Sequence, residues 1–236
     1  MKPFKHLAVL ALASAASLAC AATQPISAVT SSVITLDTAA LATNSFTASA
    51  VGGSTYNSGT GVLTDSVSSV STLANPGAAV VQYDPNSGLN LKTSIAFVGT
   101  VNVALTDLVY NAQDNTLYSD MVVTALGSTT TYANQAILVA GNEVGSLGGN
   151  SLDHVTLSAS PLALNYSLTS FTLATDLSTK LGNLVSFVSW LPGAVKNVTV
   201  TSAVTPAVPE PSTYALLSIG LVGMAVVSRR KLNNQN

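Results

Sequence analysis

The sequence predicts an all-β protein, a mostly antiparallel, sandwich-like domain with one amphipathic helix near residues 176–191. An N-terminal signal peptide and a C-terminal transmembrane helix frame it. Three observations lead there. Charged residues make up only 8% of the 236 residues while hydrophobic ones make up 47%. Short Val/Thr/Ala runs recur between clusters of Gly, Asn, Asp and Pro, which is the pattern of strands separated by turns. Both ends are apolar segments flanked by Lys or Arg. The predicted organisation is therefore a signal peptide over residues 1–21, an exported β-rich domain over 22–205, a linker motif over 206–212, a membrane helix over 213–228 and a basic tail over 229–236.

The strands follow from periodicity. Residues 32–37, 45–51, 77–83 and 101–109 are short runs rich in Val, Thr and Ala, residue types that fit a pleated, half-buried surface. In residues 101–105 the larger apolar side chains alternate, and the turn-forming stretch 111–115 precedes a second run over 116–126, so a hairpin is expected. Residues 129–140 supply the next antiparallel strand. Leu164, Tyr166 and Leu168 share one parity and Phe171 and Leu173 the other. A one-residue bulge near Thr169 or Ser170 would let both sets face inward. The last strand is expected over 194–203.

One segment departs from this period. Leu177, Leu181, Leu184, Val185, Val188 and Leu191 recur at helical spacing. Thr175 or Asp176 is placed as an N-cap, and Pro192-Gly193 is placed to stop the helix. Phe187 and Trp190 widen its apolar face. With Lys180 as its one lysine, packing on the sheet is favoured over a membrane-surface role. No fixed-period repeat argues for a solenoid or propeller.

The N-terminus carries Lys2 and Lys5 before an apolar run of 12 residues, 7–18. That run is too short for a permanent membrane helix. Ala19 and Ala21 place small side chains where signal peptidase reads them, so cleavage is expected after Ala21. The alternative is lipidation at Cys20, whose preceding residues Ser17-Leu18-Ala19 fit a lipobox poorly. Cys20 is the single cysteine, so an exported body cleaved after Ala21 has no disulfide and no thiolate chemistry, and a packed core must stabilise it. That body holds nine acids against three lysines and no arginine. Nucleic acid is excluded as a partner, because a phosphate backbone demands clustered cations.

The body offers weak chemical candidates. Ser151 and His154 lie within Gly149-Asn150-Ser151-Leu152-Asp153-His154, which resembles the GDSL block of a hydrolase family with Asn150 in place of aspartate. That family's histidine sits far from its serine, unlike His154, so an exposed loop is the plainer reading. Asp84-Pro85-Asn86-Ser87-Gly88-Leu89-Asn90 partly resembles a calcium loop but lacks the closing glutamate, and a hairpin turn explains it as well. Glu143 is the only glutamate of the body, so paired carboxylates for glycoside chemistry are not evident. Asn165-Tyr166-Ser167 and Asn197-Val198-Thr199 match the glycosylation pattern, and no role is built on them. No catalytic residues, metal ligands or cofactor are predicted. Tyr56, Tyr83, Tyr110, Tyr118 and Tyr132 are candidates for an aromatic polysaccharide platform.

The tail is the most specific stretch. Val208-Pro209-Glu210-Pro211 is held extended and non-helical by its prolines. Residues 213–228 carry no charge and extend roughly 25 Å as a helix, near the lower limit for crossing a bilayer core. Arg229, Arg230 and Lys231 form a basic stop that stays cytoplasmic by the positive-inside rule, leaving the body outside. These three parts, in this order, resemble a PEP-CTERM sorting signal, the substrate tag of the exosortase system of Gram-negative bacteria that make exopolysaccharide. The resemblance covers about 25 residues. It implies recognition by an exosortase-type membrane protease, removal of the tail, and release or attachment at the cell surface or in the extracellular matrix. An ordinary anchor helix without processing is the plain alternative.

The expected function is thus an exported, non-enzymatic surface or exopolysaccharide (biofilm) matrix component, handled by signal peptidase and exosortase. A secreted polysaccharide-binding module and a secreted hydrolase are the alternatives.

Overall fold

A computed structural model of the chain describes residues 23–25, 31–72, 76–95, 99–125, 127–157, 162–181 and 188–204. The expected signal peptide, linker motif, membrane helix and basic tail lie outside them. Among the described residues no helix is long and apolar enough to cross a membrane.

The strands in chain order are β1 (Thr23–Pro25), β2 (Ser31–Leu36), β3 (Phe46–Val51), β4 (Thr55–Asn57), β5 (Val62–Thr64), β6 (Val67–Thr72) and β7 (Ala79–Tyr83). They continue with β8 (Gly88–Ile95), β9 (Gly99–Asn111), β10 (Thr116–Ala125), β11 (Ser128–Leu147), β12 (Ala163–Leu173) and β13 (Val195–Val204). Three short helices join them: α1 (Thr38–Thr43), α2 (Thr175–Leu181) and α3 (Leu191–Ala194). All the strand pairs are antiparallel and belong to one sheet, ordered β1-β6-β7-β9-β10-β11-β12-β13-β2-β5-β4, with β8 and β3 extending from β9. The antiparallel β character is as expected, but the two-layer arrangement is not. A single nearly closed sheet curls around one core.

Bulges turn the corners that a sandwich would make with separate sheets. In β9 the buried parity runs through Val101, Val103 and Leu105, then shifts to Leu108 and Tyr110 across Asp107, whose φ is 53°. At that kink the edge of β9 changes partner. Residues 99–106 pair with β8 and residues 109–111 with β7. The stretch 84–87 therefore carries the chain from one partner of β9 to the other and is not the hairpin turn the sequence suggested. The expected β9–β10 hairpin and its continuation into β11 are both present. A further kink in β11 sits at Asn134, whose backbone N–H donates to Asp120 Oδ1 at 2.7 Å.

The parity change predicted in β12 falls at Ser170, whose φ is 59°, with Leu168 and Phe171 buried on either side of it. Its partner β11 changes parity at the same level, since Ala140 opposes Phe171 and Glu143 opposes Leu168. Gly141 lies between them. A Cβ there would stand 2.8 Å from the Ser170 carbonyl oxygen, so only glycine lets the two strands kink together.

The helix expected over 176–191 is only partly observed. α2 begins at Thr175, with Ala174 before it, and buries Leu177 and Leu181; residues 182–187 lie outside the described segments. Val188 to Trp190 form a turn, and Leu191 opens the separate helix α3. Pro192 therefore starts a helix instead of stopping one, because its missing N–H falls where a first turn has no acceptor anyway. Trp190 packs on Phe46 of β3 with ring centroids 4.7 Å apart. The sequence reading missed α1, in which Asp37 is an N-cap accepting from the backbone N–H groups of Ala39 and Ala40 at 2.9 and 3.2 Å. Those bonds, with Lys196 Nζ at 3.3 Å, hold the Asp37 carboxyl below its ordinary pKa.

Candidate functional site

The residues with the strongest sequence signal, Val208, Pro209, Glu210 and Pro211, lie outside the described segments, as do Arg229, Arg230, Lys231, Ala19 and Ala21. What the structure supplies is their attachment point. β13 lies between β12 and β2, bonded on both sides, and ends at Val204, which pairs with Ala163. The motif starts a few residues beyond an interior strand of the folded body.

The hydrolase candidates do not assemble. Ser151, Asp153 and His154 are all exposed in one loop, where the His154 N–H donates to the Ser151 carbonyl in a backbone turn. Leu152 and Val155 between and after them are fully buried and anchor that loop. Among the described residues no cluster of three or more His, Cys, Asp or Glu side chains could hold a metal.

The tyrosine candidates divide. Tyr83 and Tyr110 are buried, while Tyr56, Tyr118 and Tyr132 are half-buried on β4, β10 and β11. Tyr132 opposes the buried Met121 and packs against the core, whereas Tyr118 donates to Asp114 Oδ2 at 2.6 Å. That bond, with burial second, pushes the Tyr118 phenol up to about 12. The five rings form no common platform.

The buried tyrosines build something else, and Tyr166 joins them. Tyr83 Oη and Tyr166 Oη share a hydrogen bond of 2.7 Å between β7 and β12, strands that are not neighbours in the sheet. The Tyr166 ring lies 5.3 Å from that of Tyr110, whose hydroxyl donates to Glu143 Oε2 and lies 3.0 Å from Asn115 Oδ1. Burial pushes Tyr83 up to about 12 and holds Tyr110 and Tyr166 well above the ordinary phenol value; at Tyr110 the Glu143 carboxylate adds to the effect. All three phenols therefore stay protonated at neutral pH. They act as hydrogen-bond partners across the interior, neither as bases nor as nucleophiles. Gly145, opposite Tyr166, makes room for this ring, since a Cβ there would stand 2.6 Å from Tyr166 Cβ. The signal was legible, because each of the three shares the inward parity of its strand with apolar neighbours.

A second polar knot joins three crossover segments. Asp65, between β5 and β6, is 5% exposed. Its Oδ1 accepts from the Ser66 N–H at 2.8 Å and lies 2.7 Å from Ser87 Oγ, which is also 2.6 Å from the Asp84 carbonyl. One hydroxyl proton cannot serve both acceptors. Asp65 Oδ2 and Ser54 Oγ are both buried and face each other without forming a well-aligned hydrogen bond. Burial raises the Asp65 pKa, against the lowering effects of Ser87, the Ser66 N–H and Ser54.

On the outer face of β11, β12 and β13 an open groove is lined by Val144, Ser146, Asn165, Ser167, Thr199 and Thr201, among others. Val144 stands 66% exposed among these hydroxyl and amide groups.

Comparison with known proteins returns three findings. The comparison with curated proteins found no match. Among solved structures, the heme binding protein HtaB from Corynebacterium glutamicum is similar at a TM-score of 0.41 and 8% identity, over 78% of this chain and 96% of that one. A family model for the PEP-CTERM protein-sorting motif matches residues 207–231. This motif implies an exosortase partner, export and membrane-associated processing. The chain thus carries a PEP-CTERM protein-sorting motif at its C-terminal end, directly behind a nearly closed antiparallel β body.

Proposed function

We propose that the body is a non-enzymatic surface or exopolysaccharide-matrix component, exported by its N-terminal signal and delivered through exosortase processing of its tail. The observation that carries this reading is the sorting motif at residues 207–231. The state of the interior supports it. The buried tyrosines are protonated cross-links of the core, and the Ser151 and His154 side chains lie in an exposed loop. In this reading signal peptidase cuts after Ala21, residues 213–228 span the inner membrane until the tail is removed, and the mature body reaches the cell surface or matrix. Deleting Pro209 to Pro211 tests it. The deletion is expected to trap the protein uncleaved in the membrane fraction, and unchanged processing would contradict the reading.

The second reading, a polysaccharide-binding module, now rests on the open groove around Val144 and not on a tyrosine row. Cosedimentation with the producing cell's own exopolysaccharide checks it; a Thr199→Asp/Thr201→Asp variant that binds as well as the parent would remove the groove from consideration.

A further inference from the structure

We propose that the end of the body bearing the loop from Gly148 to His154 faces the phospholipid surface of the membrane while the tail is still attached. This inference rests on the sorting reading above and assigns the surface that the tethered body presents.

The register places the loop beside the exit of the chain. Val204, the last residue of β13, pairs with Ala163, and the Ala163 carbonyl accepts the Gly148 N–H at 2.9 Å. From Gly148 the chain turns tightly, with the Leu147 N–H donating to the Asn150 carbonyl at 2.9 Å. Asn150, Ser151, Asp153 and His154 then stand exposed, while Leu152 is held inside by a 2.7 Å bond from the Ala79 N–H to its carbonyl.

The length of the connection decides which end can reach the bilayer. From Val204 to Thr213, where the apolar segment starts, the chain can span at most about 30 Å even fully extended. A body of this size is roughly 40 Å across, from the scaling of the radius of gyration with length. The tether is shorter than the domain, so the opposite end cannot swing down to the membrane. The β10–β11 turn at Gly127 and Ser128 lies at the other end of β11 from Leu147, after which the loop begins. The loop contains no lysine or arginine, and Asp153 is its only acid. Its position is therefore imposed by the tether and not by attraction to anionic headgroups, and it is lost when the tail is cut.

The test uses the full chain with Cys20→Ser, reconstituted in phospholipid nanodiscs containing headgroup nitroxide lipid. A fluorophore is attached at Asn150→Cys or, separately, at Ser128→Cys. Quenching is expected to be several-fold stronger at position 150 than at 128, and to fall to the level of 128 when about twenty Gly/Ser residues are inserted after Val204. Equal quenching at both positions, or stronger quenching at 128, overturns the inference while leaving the sorting reading intact. A chain that does not enter the nanodiscs at all overturns both. If Asn150→Cys does not fold, the label is moved to Ser151→Cys, for which the same outcomes apply.

Discussion

Removing one hydroxyl from the Tyr83–Tyr166 pair should cost far more than removing both. The two hydroxyls lie 2.7 Å apart, both side chains are at least 97% buried, and the bond links strands that the sheet does not pair. Tyr83→Phe keeps the ring and leaves the Tyr166 hydroxyl buried without a partner, at a cost of about 1–3 kcal/mol. Tyr166→Phe does the converse and preserves the ring contact with Tyr110 at 5.3 Å. The double variant leaves neither phenol without a partner, so it is expected to be closer to the parent than either single variant, with the buried Ser32 hydroxyl beside Tyr83 as the remaining polar group. For a domain of this size each kcal/mol shifts the melting temperature by roughly 2–4 °C. Each single variant should therefore melt about 2–12 °C below the parent and the double variant well above either single, as read by circular dichroism on the exported protein. Strictly additive losses, with the double variant the least stable, would refute the reasoning.

Other consequences follow from the same interior. Asp65 has a raised pKa when folded, so its contribution to stability is fully present below the unfolded carboxyl pKa and is lost as pH rises through the folded value. The urea midpoint of the parent relative to Asp65→Asn should accordingly fall between acid and neutral pH; a difference that stays constant or grows with pH would count against a raised Asp65 pKa. Gly145→Ala, which drives a methyl against Tyr166, should lose about 1–3 kcal/mol. An apolar cavity of about 40 Å³ between β2, β8 to β11, α3 and β13 is lined by Val198 and Leu105, among others. Val198→Ile is expected to gain stability, up to about 1 kcal/mol for a cavity of that volume, and a lower melting temperature would show the space to be unavailable.

Most of the strands were legible because their period is strong. β2, β3, β7, β9, β10, β11, β12 and β13 each arise from a run with alternating or β-branched side chains, and the kink at Ser170 was readable from the changed parity of Phe171. The short strands β4 and β5 escaped because three residues hold too little periodicity, and α1 because its six residues follow a strand without a break. Closure into one sheet was not readable either. It depends on β9 offering one edge to two partners across Asp107, a long-range choice that local pattern does not encode. In the candidate sites the tail motif was fully legible, since its chemistry lies in consecutive residues. The Asp65 knot was not, because Ser54, Asp65 and Ser87 come from three separate crossovers. Tyrosine was misread as a surface residue where strand parity already placed Tyr83 and Tyr110 inside.

The central claim is that the body leaves the cell's interior and loses its tail on the way. Intact mass of the protein recovered from the surface or medium of an exopolysaccharide-producing host measures both ends together. The account predicts a chain that begins at Ala22 and ends before Arg229. A released chain that still runs through Arg229, Arg230 and Lys231 to Asn236 would contradict it.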